Sequence, residues 1–325
     1  MKKRVVITGG SGFVGTNLVE HYIQQGWQVL NFDIAEPRNP GHIPYWRKVD
    51  LLDRLQLIRE TKDFQPSVFL HFGARTDLEE KESLAGYAAN IEGVCNAIEA
   101  IRLSPSIQRA VFASSQLVCK IGYQPKDEYD YAPSTLYGQS KVLMERILRT
   151  AHEIGPSWTI VRPTSLWGPW FGIPYKNFFE MIARNFYIHP GGVKTLKQWG
   201  FIGNAVHQVD RLIHVAPDMI HKKIFYLADY QPLDMHAFAD LVQKALGARP
   251  IRTIPASLLK MIAFCGDVCQ ILGWKHPPLT SFRYSNIITP EVQDLQPLQQ
   301  VVGPLPYDVT QGIDLTVAWL KNHKK

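Results

Sequence analysis

An α/β fold, with a parallel sheet covered by helices on both faces, is predicted by three observations. Apolar runs of strand length alternate with helical patterns through the first half of the 325-residue chain. The first run, Arg4-Val5-Val6-Ile7, feeds directly into Thr8-Gly9-Gly10-Ser11-Gly12-Phe13-Val14-Gly15, a glycine-rich turn that opens an amphipathic helix. From Pro163 onward, segments rich in proline and glycine break the regular pattern.

Strands are predicted at 4–8, 28–33, 45–49, 67–72, 108–113 and 158–162, with helices between them at 13–25, 52–61, 85–103 and 134–153. This alternation is that of a Rossmann-type, doubly wound parallel sheet. Pro163 to Pro174 reads as an irregular lobe, followed by a helix near 175–185 and a bend at Pro190-Gly191-Gly192. Ile224–Ala228 reads as one further strand returning to the sheet. Short helices broken by proline follow from Pro232, and the last helix covers roughly 311–322. The organisation predicted is a cofactor-binding domain at 1–165, rejoined by 201–230, and a smaller, discontinuous C-terminal substrate lobe at 166–200 and 231–325.

A hydrophobic content of 46% is enough to bury a full core. Lys+Arg 35 against Asp+Glu 29 leaves a formal charge of +6, without any basic block longer than Lys2-Lys3-Arg4. That spread argues against nucleic acid as a partner and leaves some positive charge available to an anionic substrate. Cys95, Cys119, Cys265 and Cys269 lack zinc-site spacing, so no metal is expected. Cys265 and Cys269 are expected to pack on one face of an apolar helix. That helix, around 257–272, contains Lys260 and Asp267 and is too short to span a bilayer. Met1 leads straight into a strand, so no signal peptide is expected, and the expected compartment is the reducing cytoplasm.

The glycines at 9, 12 and 15 allow a sharp strand-to-helix turn on which a pyrophosphate meets backbone N–H groups and the positive end of the helix. Asp33 ends the second strand about 20 residues later, where a carboxylate meets the adenosine ribose hydroxyls and repels a 2′-phosphate. NAD is therefore expected over NADP, with Arg38 nearby as a counterweight. Asp50 reads either as an acceptor for the adenine amino group or as a helix cap. Tyr137 and Lys141 stand four apart on one helix face, where a neighbouring ammonium favours the phenolate. Ser115 ends the run Ala110-Val-Phe-Ala-Ser-Ser115 at the carboxyl edge of the sheet, placed to hold a reacting oxygen beside Tyr137 or to cap a turn. His71 reads as a structural hydrogen-bonding residue. Trp167, Trp170 and Phe171 read as either ligand-stacking or packing residues, and Lys194, Lys197 and Arg283 as solvated charges or diphosphate contacts.

Taken together, the chain resembles the extended short-chain dehydrogenases/reductases of the NAD-dependent epimerase/dehydratase family that act on nucleotide sugars. The matching motifs are the 8–15 turn, Asp33, Asp50, His71-Phe72-Gly73-Ala74, Asn90 with Gly93, Ser114-Ser115, Tyr137-Gly-Gln-Ser-Lys141 and Val161-Arg-Pro163 with Gly168-Pro169. The resemblance implies that Phe13 and Val14 lie along the pyrophosphate, Asp50 and Leu51 border the adenine, and Phe72, Gly73 and Ala74 line the cofactor. It further implies that Asn90 supports the site, that Lys141 contacts the nicotinamide ribose, and that helices 85–103 and 134–153 form a homodimer interface. Asn177 matches a family asparagine that contacts the nucleotide diphosphate, and Ser165 occupies, as a departure, the place of a second asparagine that contacts the substrate phosphate. The chain departs from the dehydratases at Gln116-Leu117, where they carry an Asp-Glu pair. The reading is an NAD-dependent nucleotide-sugar epimerase or keto-sugar reductase working through Ser115, Tyr137 and Lys141. The alternatives are a 3β-hydroxysteroid-type alcohol dehydrogenase, which Pro277-Pro278-Leu279-Thr280 and the apolar helix would suit, and a non-enzymatic NAD-binding sensor or assembly subunit.

Overall fold

The computed structural model describes residues 3–78, 80–274 and 279–323; Pro277 and Pro278, singled out above, lie outside them. The first half of the chain contributes β1 (Arg4–Thr8), α1 (Phe13–Gln24), β2 (Gln28–Asp33), β3 (Trp46–Lys48), α2 (Arg54–Phe64), β4 (Val68–His71), α3 (Ala88–Arg102), β5 (Arg109–Ala113), α4 (Leu136–Thr150) and β6 (Ser157–Pro163). Then follow β7 (Ser165–Trp167), α5 (Tyr175–Ala183), β8 (Ile188–Gly191), β9 (Leu196–Lys197), β10 (Trp199–Phe201), α6 (Ile202–His214), α7 (Pro217–Ile220) and β11 (Ile224–Leu227). The last segment holds β12 (Leu233–Asp234), α8 (Met235–Leu246), β13 (Arg252–Pro255), α9 (Ala256–Ile271), α10 (Ser281–Ile288), α11 (Gln296–Val302) and α12 (Val309–Asn322).

Seven parallel strands form the central sheet in the order β11-β6-β5-β4-β1-β2-β3. The direction of winding reverses between β1 and β4, where loops leave a crevice at the carboxyl ends of the strands. Each inner strand is buried on both faces, which explains its unbroken apolar run. Alternate residues of one strand serve opposite layers. Val5, Ile7, Val68 and Leu70 pack under α1 and α6, whereas Val6, Phe69, Ala110 and Phe112 pack under α3 and α4.

The first of these layers continues without a break into the C-terminal segments through Trp167, Phe179, Phe238, Leu298 and Ile313. Trp167 sits 5.2 Å from Phe201 and 5.1 Å from Phe238, ring centroid to centroid, and Phe171 lies 5.3 Å from Phe179. Both are buried, so of the two roles open to them the structure assigns packing. Trp170 is held against Trp319 and His323.

The helix expected over 85–103 starts later, because Leu84–Tyr87 forms a tight 3-10 turn before α3. Beyond the predicted strands, β7 to β10, β12 and β13 are short and pair in twos outside the central sheet. Of α9 only Ala263 and Gly266 are buried, and Cys265 is exposed, which corrects the expectation that its face is packed.

One ion pair ties three elements together behind the crevice. Arg162 of β6 donates from Nε to Glu145 Oε1 at 2.9 Å and from Nη2 to Oε2 at 2.8 Å, both side chains buried. Arg162 also donates to the Tyr226 hydroxyl of β11 and to the Glu128 carbonyl, and Tyr131 donates its hydroxyl to Glu145. Glu145→Ala should therefore lower unfolding free energy by about 3–5 kcal/mol, since it leaves a buried guanidinium unpaired. Replacing both partners by apolar residues (Arg162→Met with Glu145→Leu) should recover much of that loss. Denaturant unfolding of the wild type and these two variants checks it: equal losses for the single and the double replacement would contradict the pairing argument.

Candidate active site

The crevice is built where β1 and β4 end side by side. Gly9 has φ +72° and its N–H donates to the Phe32 carbonyl at 2.8 Å. A Cβ there would stand 2.6 Å from the Gly73 backbone, so the turn after β1 and the loop after β4 touch through two glycines. A Cβ at Gly15 would overlap the Gly9 carbonyl oxygen, which keeps α1 tight against the turn. Thr8 fastens the same junction, its hydroxyl accepting from the Gly73 N–H at 3.1 Å and lying 3.0 Å from His71 Nδ1. His71 is buried, with its pKa pushed down to about 3 by burial and by the charge on Lys141, and is neutral.

The start of α1 carries no side-chain cap and no acidic residue in its first turn, and a Cβ added at Gly12 would meet only the Gly9 carbonyl oxygen. Its leading amides, Phe13 and Val14 among them, thus remain suited to a phosphate group. Asp33 accepts from the Ser11 N–H at 3.0 Å and the Ala35 N–H at 3.0 Å, which aims its carboxylate at the rim of the turn. Burial raises its pKa, against the pull of these amides and of Arg38. Arg38 itself donates to the Trp170 carbonyl at 2.6 Å, across the crevice. Asp50 is exposed and accepts from the Leu52 N–H at 2.9 Å in the turn before α2, whereas the helix itself is capped by Asp53, which corrects the helix-cap alternative for Asp50. Leu51 is buried against Gly73 and Gly93. Phe72 and Ala74 flank Gly73 in the loop. The donor set and the uncapped helix fit a dinucleotide with a diphosphate bridge.

The side chains predicted to react, Ser115, Tyr137 and Lys141, converge from the end of β5 and from α4. Ser115 caps a short 3-10 turn after β5, accepting from the Leu117 N–H at 3.1 Å, and its hydroxyl interacts with Tyr137. Thr135 caps α4, which places Tyr137 and Lys141 in its first two turns. Asn90 Nδ2 donates to Ser140 Oγ at 2.9 Å while its Oδ1 accepts from the Arg75 N–H, bracing α4 against α3 and the β4 loop.

Burial dominates the electrostatics. It pushes the Tyr137 phenol up to about 12, offset in part by Ser115, and the Lys141 ammonium down to about 8, offset in part by Glu145. Lys141 Nζ donates to the Ala113 carbonyl at 2.8 Å and sits 6.0 Å from the centre of the Tyr137 ring. In this geometry the tyrosine pKa is raised rather than lowered, contrary to the simplest reading of a Tyr-Lys pair. The desolvation of a fully buried phenol outweighs a cation that is itself desolvated and turned towards a carbonyl.

Sequence reasoning missed the opposite wall. Tyr175, at the start of α5, donates its hydroxyl to Ser165 Oγ at 3.0 Å, and Gln116 Nε2 reaches the same oxygen at 3.4 Å. The Tyr175 hydroxyl adds electrostatically to the raised pKa of Tyr137, so α5 reaches the site. Behind Tyr175, Lys197 and Glu291 form a buried pair with Nζ and Oε2 3.8 Å apart, and Lys197 donates to the Asn286 carbonyl at 2.9 Å. Lys197 is therefore not a solvated charge. Asn177 lies exposed on the first turn of α5. Among the described residues, Ser114 Oγ and Gln116 Oε1 are buried without a partner beside this wall. No sequence pattern marks Tyr175 or Glu291, because the packing that brings the start of α5 to Ser165 and Glu291 to Lys197 is tertiary.

The sequence profile of the NAD dependent epimerase/dehydratase family matches residues 5–225, more than half of the chain. The chain belongs to that family. This epimerase/dehydratase-family member is accordingly an NAD-dependent enzyme of the epimerase and oxidoreductase kind. It is 25% identical, over all of its own length and 97% of the other, to N-acetyl-alpha-D-glucosaminyl-diphospho-ditrans,octacis-undecaprenol 4-epimerase of Escherichia coli O157:H7. It is 26% identical to 3-beta-hydroxysteroid dehydrogenase of Mycolicibacterium neoaurum, over 76% of this chain and 71% of that one. In fold it matches the UDP-glucose 4-epimerase of Thermus thermophilus, solved with NAD, at a TM-score of 0.75 and 19% identity, covering 99% and 100% of the two chains.

Two outcomes follow for this family member. NAD should bind more tightly than NADP, and Asp33→Ser should narrow the gap; calorimetric titration showing NADP equal or tighter in the wild type would refute the role of Asp33. Activity should fall as pH rises through about 8, where Lys141 loses its proton while Tyr137, near 12, keeps its own. Lys141→Arg, charged throughout this range, should remove that falling limb at a lower maximum rate. A wild-type profile flat to about pH 9.5 would rule out Lys141 as the controlling group.

Proposed function

We propose that this enzyme is an epimerase or keto-sugar reductase acting on a sugar carried on a diphosphate, with a nucleotide-diphosphate sugar as the reference substrate. The convergence of Ser115, Tyr137 and Lys141 at the carboxyl end of β5, beside an uncapped helix suited to a diphosphate, is the observation that carries this reading. The full-length likeness to an epimerase acting on a diphosphate-linked sugar supports it.

When bound, NAD supplies a hydride acceptor that returns the hydride later. Ser115 and Tyr137 hold the oxygen of the reacting carbinol. Once substrate has displaced water from the pocket, Tyr137 releases its own proton to solvent and Lys141 stabilises the resulting phenolate, which then takes the carbinol proton and returns to the neutral phenol. With a carbonyl formed at that carbon, the same tyrosine gives the proton back to its oxygen, whichever face of the carbon the sugar presents. Epimerisation needs the sugar to turn between these two transfers, and Tyr175 and Ser165 line the wall against which it would turn. A non-catalytic sensor has no use for this buried triad.

A 3β-hydroxysteroid-type dehydrogenase is the second reading, favoured by the apolar exposed face of α9. Supplying NAD with UDP-, GDP- and dTDP-sugars, a polyprenyl-diphosphate sugar and hydroxysteroids separates the two. Epimer without net NADH supports the first reading; stoichiometric NADH with a steroid supports the second.

Tyr137→Phe should leave NAD binding nearly unchanged and cut turnover by about 10²–10⁴-fold, the range for a lost acid-base group. Retention of most activity in a folded Tyr137→Phe protein would overturn the assignment. The enzyme should also produce no 4-keto-6-deoxy sugar. Elimination needs an acid and a base beside the reacting carbon, but Gln116 is a neutral amide donating to Ser165 and Leu117 has no polar side-chain atom. Mass spectrometry of dTDP-glucose incubations for loss of water decides it.

A further inference from the structure

The helix α9 turns a large apolar surface to solvent. Its buried side chains, Ala263 and Gly266, are the small ones. Leu258, Met261, Ile262, Phe264, Val268 and Ile271 are all exposed, Phe264 at 64% and Ile271 at 84%. With 3.6 residues per turn these six fall within about half of the helix circumference, opposite Ala263 and Gly266. The surface continues past the helix end to Trp274, 56% exposed, and across to Phe282 on α10, 68% exposed. The Ser281 N–H donates to Asp267 Oδ1 at 3.0 Å, which joins the two helices into one unit. A contiguous apolar face of this size is unusual on a free monomer.

The charge around it is one-sided. Among the described residues of 249–288, Arg249, Arg252, Lys260 and Arg283 are exposed and basic, and Asp267 is the only acidic residue. Asp267 is turned to the α10 backbone. No helix among the described residues is long and apolar enough to cross a membrane. A helix too short to span, apolar over half its girth, with Lys260 on it and Arg252 on the strand that leads into it, has the character of an element that lies in the plane of a lipid interface.

We propose that α9 and α10 dock this protein on an anionic lipid surface, with Met261, Phe264, Ile271 and Trp274 inserted among the acyl chains and Arg252 and Lys260 facing lipid phosphates. The insertion stands apart from the reacting groups: none of these side chains touches Ser115, Tyr137 or Lys141. It is also independent of which sugar the enzyme takes.

Flotation of the full-length protein with vesicles tests this. The vesicles are either equal parts phosphatidylglycerol and phosphatidylcholine or phosphatidylcholine alone, and a lipid-free gradient is the control. The protein should float with the anionic vesicles, far less with the neutral ones and not without lipid. Met261→Ser with Phe264→Ser should weaken binding by about tenfold or more, as expected for two lost insertion groups. Arg252→Gln with Lys260→Gln should weaken it by about fivefold per charge and reduce its salt sensitivity. Both double variants should keep the wild-type melting temperature and NAD affinity, which shows that they are folded. Absence of flotation on anionic vesicles overturns the proposal, as does unchanged flotation of the serine variant. A doubled mass in solution that reverts to monomer in the serine variant, without vesicle binding, would assign the face to a second copy of the chain and also overturn it. Vesicle binding together with inactivity on every sugar tested would leave the docking standing and remove the proposed reaction.

Discussion

The position of α4 depends on the buried contact between Glu145 and Arg162. Tyr137, Lys141 and Glu145 are spaced four apart and share one helix face, so whatever holds Glu145 also sets the two residues above it. Arg162 holds it in a bidentate grip from β6, with Tyr226 of β11 and the Glu128 carbonyl completing the guanidinium's partners. Such a pair is costly to desolvate and tolerable only because every guanidinium nitrogen has a partner. Its return is geometric: α4 has little freedom to slide along the sheet without breaking several charge-assisted hydrogen bonds at once. The same carboxylate supports the charge of Lys141, one turn nearer the crevice.

At the mouth of the crevice the constraint is steric. Gly9 and Gly73 bring two loops within a distance at which neither position has room for a Cβ, and Thr8 fastens them with hydrogen bonds on both sides. The close approach leaves the start of α1 free of protein ligands. Burial then sets the chemistry of the pocket. It raises a phenol, lowers an ammonium and leaves His71 neutral, so the protein alone holds Tyr137 protonated and primed to respond to what enters.

The C-terminal segments are not an independent body fastened to the sheet. They share the apolar layer beneath α1 and α6, through Trp167, Phe179 and Phe238. This explains why the aromatic residues near 167–171 are consumed in packing. It also explains how α5, assigned from the sequence to the smaller lobe, carries Tyr175 to Ser165 and into the surroundings of Tyr137.

Local spacing sufficed for the doubly wound sheet, the turn after β1, the carboxylate at Asp33 and the Tyr137–Lys141 pair, because each is written in neighbouring residues. Glycine spacing, strand periodicity and a four-residue helical interval are short-range signals. Tertiary structure decided what depends on distant segments meeting. It set Lys141 against the Ala113 carbonyl rather than Tyr137, placed Lys197 in a buried pair with Glu291, and put Tyr175 opposite the triad. It likewise decided that the apolar run at 256–271 faces outward. An apolar helix reads the same in sequence whether its large side chains meet a core or a solvent-facing surface, and only the packing of Ala263 and Gly266 distinguishes the two. Desolvation follows the same logic, since the pKa of a tyrosine is set by the depth at which the whole fold buries it.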